Sequence, residues 1–113
     1  MSCRRSPDLV VGAIYSIADN GGRFGIVKLL ARDEGICHVR VYKQKFGSRP
    51  ERVDPSKLSL GTIHDKDGFG MGHLPLSDEA FRAWQPVLIS KTLVTSEELE
   101  GYRMWKEASG GVF

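Results

Sequence analysis

The segment His64-Asp65-Lys66-Asp67-Gly68-Phe69-Gly70-Met71-Gly72-His73 puts two histidines and two aspartates within ten residues, side-chain types that ligate metals. A calcium loop needs acidic groups at its first, third and fifth positions before the glycine. Asp65 and Asp67 fit the third and fifth, but Ile63 stands at the first and no glutamate closes the loop. Zinc needs a third and fourth ligand, for which Cys37 and His38 are the distant candidates. Without ligand spacing, the stretch reads as a glycine-rich turn whose aspartates bond their own backbone. No metal and no cofactor are expected. Gly68, Gly70 and Gly72 lack the strand–turn–helix context and the Lys-Ser/Thr of a phosphate loop. Glycines two apart instead suit close backbone approach to a partner.

The nucleophile candidates are Cys37, Cys3 and several serines. Cys37 lies beside Val39 on the apolar side of an alternating stretch, which predicts a buried, inert thiol. His38, its neighbour, points the opposite way in a strand. No Gly-x-Ser-x-Gly elbow occurs, and an enzyme is not expected. A second group is basic: Arg40, Lys43, Lys45, Arg49, Arg52 and Lys57, interleaved with Tyr42 and Phe46. Cations with stacking aromatics suit single-stranded nucleic acid. Glu51 and Asp54 dilute the set and the whole chain carries only +2, so a solvated sheet face is the preferred reading.

These groups must be positioned by two different halves. Val11–Ala18, Phe24–Ala31 and Ile36–Gln44 read as three strands, separated by Asp19-Asn20-Gly21-Gly22 and Asp33-Glu34-Gly35. Asn-Gly is the strongest short hairpin signal. In the third strand Cys37, Val39 and Val41 form the core face, against His38, Arg40 and Tyr42. Phe46–Pro55 is a connector, Arg52–Asp54 a candidate short edge strand, and Asp54-Pro55-Ser56-Lys57 one capped helical turn. Leu60–His64 is a candidate strand closing the sheet, and Asp65–His73 is loop.

The second half holds two helices with explicit starts. Ser77 caps one running to Trp84, with Leu76 and Phe81 at the spacing of a hydrophobic staple. Thr95 and Glu98 form a capping box for another running to about Ser109, with Leu99, Tyr102 and Trp105 on its apolar stripe. Val87–Val94 between them is β-branched and predicts a strand. The expected fold is α+β: an antiparallel meander forming a small SH3-like or Tudor-like barrel or a curled sheet, covered by two C-terminal helices.

At 113 residues, 41% hydrophobic and 27% charged, the chain is expected to be one globular domain over 1–113, with a flexible stretch at 1–8. Residues 1–57 carry eleven basic and six acidic side chains, a net of +5, and residues 58–113 a net of −3. Arg4 and Arg5 have no apolar stretch behind them, so neither a secretory signal nor a membrane span is expected. Two cysteines make no disulfide framework, which points to the cytoplasm.

Gly12-Ala-Ile-Tyr-Ser-Ile, a Gly-Gly turn and Phe24-Gly-Ile-Val-Lys resemble the opening of the Imm26-type bacterial immunity proteins, over about the first thirty residues. The remainder resembles small uncharacterised bacterial proteins carrying Leu-Ser-Leu-Gly-Thr-Ile-His-Asp and a Gly-Tyr-Arg-Met-Trp helix. The first resemblance implies a toxin as partner, and neither assigns a catalytic or binding residue.

The functional expectation is a non-enzymatic module binding a protein or peptide through rim loops, the Phe46–Pro50 connector and the Asp65–His73 loop. Its candidate binding residues are Tyr42, Phe46, Arg49, His64, Asp65, Asp67, Phe69 and His73. A toxin-neutralising immunity protein is the alternative, and a nucleic-acid-binding barrel is the further one.

Overall fold

The computed structural model describes residues 9–18, 21–33, 35–60, 70–108 and 110–112. The expected flexible stretch at 1–8 lies outside them. Five strands form one antiparallel sheet: β1 (Ala13–Ala18), β2 (Phe24–Asp33), β3 (Ile36–Phe46), β4 (Met71–Ser77) and β5 (Val87–Lys91), in the order β4-β3-β2-β1-β5. The first three are the meander read from the hairpin signals. Bulges interrupt β1 beside β5, and β2 beside β3 at two places. Each adds local twist and curls the sheet.

The sheet stays open, so of the two expected architectures the curled sheet is the one adopted. Leu60 belongs to no strand, and 61–64 of the expected closing strand lie outside the described residues. The place beside β3 is taken by β4, which corrects the loop reading at its end: Met71–His73 are strand. Gly70 explains the turn into it, because a Cβ there would collide with the Val41 carbonyl. That glycine serves an approach within the chain. Arg52–Asp54 form no edge strand.

The capping chemistry is as the sequence spells it. Asp54 accepts from the Ser56 N–H at 3.0 Å and starts a 3₁₀ turn, Pro55–Lys57. Ser77 Oγ accepts from the Ala80 N–H at 3.0 Å and starts α1 (Asp78–Ala83). Leu76 and Phe81 of its staple are both buried. The Thr95–Glu98 box also forms, with Glu98 N–H to Thr95 Oγ1 at 3.1 Å and Thr95 N–H to Glu98 Oε1 at 2.9 Å. Regular helix begins only at α2 (Glu100–Glu107). The Leu99 N–H is shared between the Thr95 and Ser96 carbonyls, the tight bifurcated pattern of a helix end, so Ser96–Leu99 stay a turn.

Both sheet faces are covered. On the first, Ala13, Tyr15, Ile17, Val27, Leu29, Cys37 and Val39 pack with Leu76, Leu9 and Phe81 of α1. On the second, Ile14, Ile26 and Tyr42 pack under Phe46, Val53, Leu58, Leu60 and Ile89. The turn before α2 is held there by Lys28, only 5% exposed, whose ammonium bonds Glu98 at 3.0 Å and the Leu93 carbonyl at 2.6 Å. The expected solvated face is therefore corrected. His38 is fully buried and Tyr42 is 8% exposed, because 53–60 and 93–106 fold back over strands that look half-polar in isolation.

Among the described residues no helix is long and apolar enough to cross a membrane.

Candidate functional site

The structure distributes the sequence-predicted site residues unevenly. His64, Asp65, Asp67 and Phe69 lie outside the described residues. Tyr42 is in the second core cluster, where burial raises its phenol pKa. Arg49 has a structural task. Its guanidinium donates to the Ser16 carbonyl (3.0 Å), Ser16 Oγ (2.9 Å) and the Gln85 carbonyl (2.9 Å), and lies 4.8 Å over the Phe24 ring. It clamps the connector onto β1 and the turn after α1. Phe46 and His73 open onto two separate clefts.

The Phe46 cleft has a volume of about 270 Å³. Phe46, Val53 and Leu58 line it together with Arg52, Lys57, Gln44 and Asp54. The Asp54 carboxylate is committed to Ser56, whose hydroxyl and N–H bond it and hold its pKa low. Gln44 is committed to the Lys57 carbonyl and the Ser59 N–H. The cationic groups of Arg52 and Lys57, both exposed, form no hydrogen bond or close ion pair with the other described residues, and Lys57 is near enough to Asp54 to help lower its pKa. The cleft is smaller than the ~300–1,000 Å³ usual for small-molecule pockets. It suits one or two side chains of a larger partner.

The second site is a chain of titratable groups on three neighbouring strands. Asp33 ends β2 opposite Ile36, and His38 is two residues further along β3 on the same face. His38 pairs with Pro75 of β4, which puts His73, two residues away, on that face as well. His38 Nε2 is 3.0 Å from Asp33 Oδ2, and His38 Nδ1 is 2.8 Å from His73 Nε2. The two ring planes lie within 12° of each other with centroids 5.1 Å apart, edge to edge as the nitrogen–nitrogen hydrogen bond requires. From α2, the Tyr102 hydroxyl donates to Asp33 Oδ1 at 3.0 Å, and Tyr102 and Trp105 set their rings against His38 at 4.5 Å.

Burial lowers the pKa of both imidazoles. For His38 the Asp33 carboxylate only partly offsets this, and for His73 any charge on His38 lowers it further. Asp33 itself sits below the usual carboxylate value: burial raises it, but the hydrogen bonds from Tyr102 and His38 prevail. The chain is thus neutral imidazoles ending on an ionised carboxylate. The two distant zinc candidates do not join His73 as a ligand set: His38 meets it through a nitrogen–nitrogen hydrogen bond, and Cys37 is on the other face. Among the described residues no group of three or more His, Cys, Asp and Glu side chains can hold a metal.

Cys37 is fully buried, as its alternation predicts. Its thiol donates to Asp78 Oδ1 at 2.9 Å, and burial followed by that carboxylate pushes its pKa up to about 12. Asp78 is held in turn by Arg32 at 2.8 Å.

The imidazole chain is what sequence reading missed. His38 and His73 are thirty-five residues apart and meet only once β4 pairs with β3. Comparison with protein families, characterised proteins and solved structures finds no match to this chain.

Proposed function

We propose that this chain is a non-enzymatic binding module that takes a segment of a protein partner into the Phe46 cleft. One observation carries the reading: an apolar floor of Phe46, Val53 and Leu58 adjoins Arg52 and Lys57, two exposed cations without a close ion pair among the described residues. Such a surface fits a bulky apolar side chain with an acidic neighbour. An aromatic floor beside arginine is the composition of an interface hot spot, and the net +5 of residues 1–57 favours encounter with an acidic segment.

The non-enzymatic part rests on the most reactive side-chain type among the described residues. A buried thiol with its pKa pushed to about 12 is a poor nucleophile. A free thiol in the core also fits a reducing cytoplasm. A toxin is one partner of this class, the one implied by the N-terminal resemblance to immunity proteins.

Selection of displayed random peptides on the immobilised full chain tests the proposal. The expected winners pair Asp or Glu with Leu, Ile, Phe or Trp. Reversing both cations, Arg52→Glu with Lys57→Glu, is expected to weaken them tenfold or more, about 1.4 kcal/mol. Winners without acidic residues, or binding indifferent to the reversal, would overturn it.

A further inference from the structure

We propose that the Asp33–His38–His73 chain is a proton-operated latch, in which one proton taken up at His73 Nδ1 releases α2 from the sheet. Asp33 accepts from His38, so a neutral His38 carries its hydrogen on Nε2 and presents a lone pair at Nδ1. That lone pair accepts the Nε2 hydrogen of His73. A neutral His73 then has its own lone pair at Nδ1, which no other described residue bonds. One hydrogen sits at each junction, and among the described residues the next proton has a single vacancy.

The vacancy lies where a charge is poorly accommodated. The His73 ring is half-buried and hydrogen-bonded edge to edge with His38, and Arg40 lines the same cleft of about 300 Å³. Lys106 of α2 lies 3.8 Å from Asp33 and adds positive charge at the other end of the chain. Among nearby carboxylates, Asp33 is shared by His38 and Tyr102, and Glu98 is held by Lys28. Glu97 and Glu100 face the cleft but are exposed, where water and salt screen their pull. A charged His73 ring therefore gains most by leaving His38 for water.

It cannot leave alone. Gly101 lies so close to His73 that an added Cβ would stand 2.7 Å from the His73 Cβ. Helical glycine costs about 1 kcal/mol relative to alanine, and this one lets α2 and β4 nearly touch. The Tyr102 and Trp105 rings of α2 lie 6.3 and 6.2 Å from the His73 ring and 4.5 Å from His38. A departing His73 ring therefore takes away part of the surface on which α2 packs. The helix spans eight residues and buries none fully, so it depends on its docking. Beyond the Lys28–Glu98 pair that holds the turn before it, that docking rests on the Tyr102 hydrogen bond, the Lys106–Asp33 pair and the ring contacts to His38.

The sign follows from burial. Both docked imidazoles lie below the ordinary 6.5, so the released form binds more protons just beneath that value. Docking is complete above pH 6.5 and is lost as pH falls through the lower docked-state values. Asp33 and Glu98, also held below their ordinary values of 3.8 and 4.5, keep their charge over this window.

Amide hydrogen exchange on the full chain at about pH 7.5 and about pH 5 tests the latch, with rates corrected for intrinsic pH dependence. Protection of the Arg103 and Ala108 amides is expected to fall at the lower pH, by no more than about tenfold per pH unit for each proton taken up. Protection in β2 should hold. His73→Gln keeps a donor toward His38 but cannot titrate, so its α2 protection should fall less with pH than that of the wild type, by the share of His38 alone. If that variant loses α2 at both pH values, imidazole ¹⁵N spectra of the wild type decide. Proton uptake that tracks the loss of α2 protection supports the latch. Uptake with α2 still protected, constant protection in the wild type, or an equal loss in His73→Gln overturns it.

Discussion

Glu98→Ala is expected to lower stability by about 3–5 kcal/mol, the range for breaking a buried ion pair from one side. Lys28 is 5% exposed and sits mid-strand in β2, so removal of Glu98 leaves its ammonium, among the described residues, with only the Leu93 carbonyl. The same carboxylate completes the capping box at Thr95, so two interactions go at once. Glu98→Gln separates them. It retains an acceptor for the Thr95 N–H but not the charge, and should cost nearly as much if the ion pair dominates. Replacing both partners, Lys28→Met with Glu98→Leu, should recover most of the loss, because no charge is then buried unpaired. Chemical denaturation of the three variants measures this. A loss below about 1 kcal/mol for Glu98→Ala would mean that Lys28 reaches water.

Phe81→Ala is the second large effect, about 3–5 kcal/mol for a fully buried aromatic truncated to a methyl. Phe81 is the one buried residue of α1 and meets Tyr15 edge-on at 5.7 Å and Trp84 at 6.2 Å. A six-residue helix has little stability of its own, so α1 depends on this ring for its place on the sheet. The denaturation midpoint should fall with the slope unchanged, as for a pure loss of stability. Against a total of ~5–15 kcal/mol for such a domain, either variant removes a large part of the folding free energy.

Phe81 also shows how much was legible beforehand. The Leu76–Phe81 staple, the Ser77 and Asp54 caps and the Thr95–Glu98 box are local patterns, each fixed within five residues, and each forms where the sequence puts it. The meander was legible because its turns are short and its apolar positions alternate. What escaped is non-local. His38, Arg40 and Tyr42 alternate like a solvated face, and nothing within the strand says that 53–60 and 93–106 return to cover it. Arg49 looks like a free cation until the connector folds back and its guanidinium finds Ser16 and Gln85. The site divides the same way. Phe46 and the cations around it are neighbours in sequence and share a cleft, whereas Asp33, His38, His73 and Tyr102 come from four elements.

The binding reading is tested most directly by mapping a selected acidic–apolar peptide on the isotopically labelled full chain, through backbone amide and methyl chemical shifts. The expected result is a cluster of shifts at Gln44, Phe46, Val53, Lys57 and Leu58, weakening as salt is raised because Arg52 and Lys57 supply attraction. Saturable binding with those residues unmoved, and the shifts gathered on α2 or on the outer edge of β5, would contradict the account.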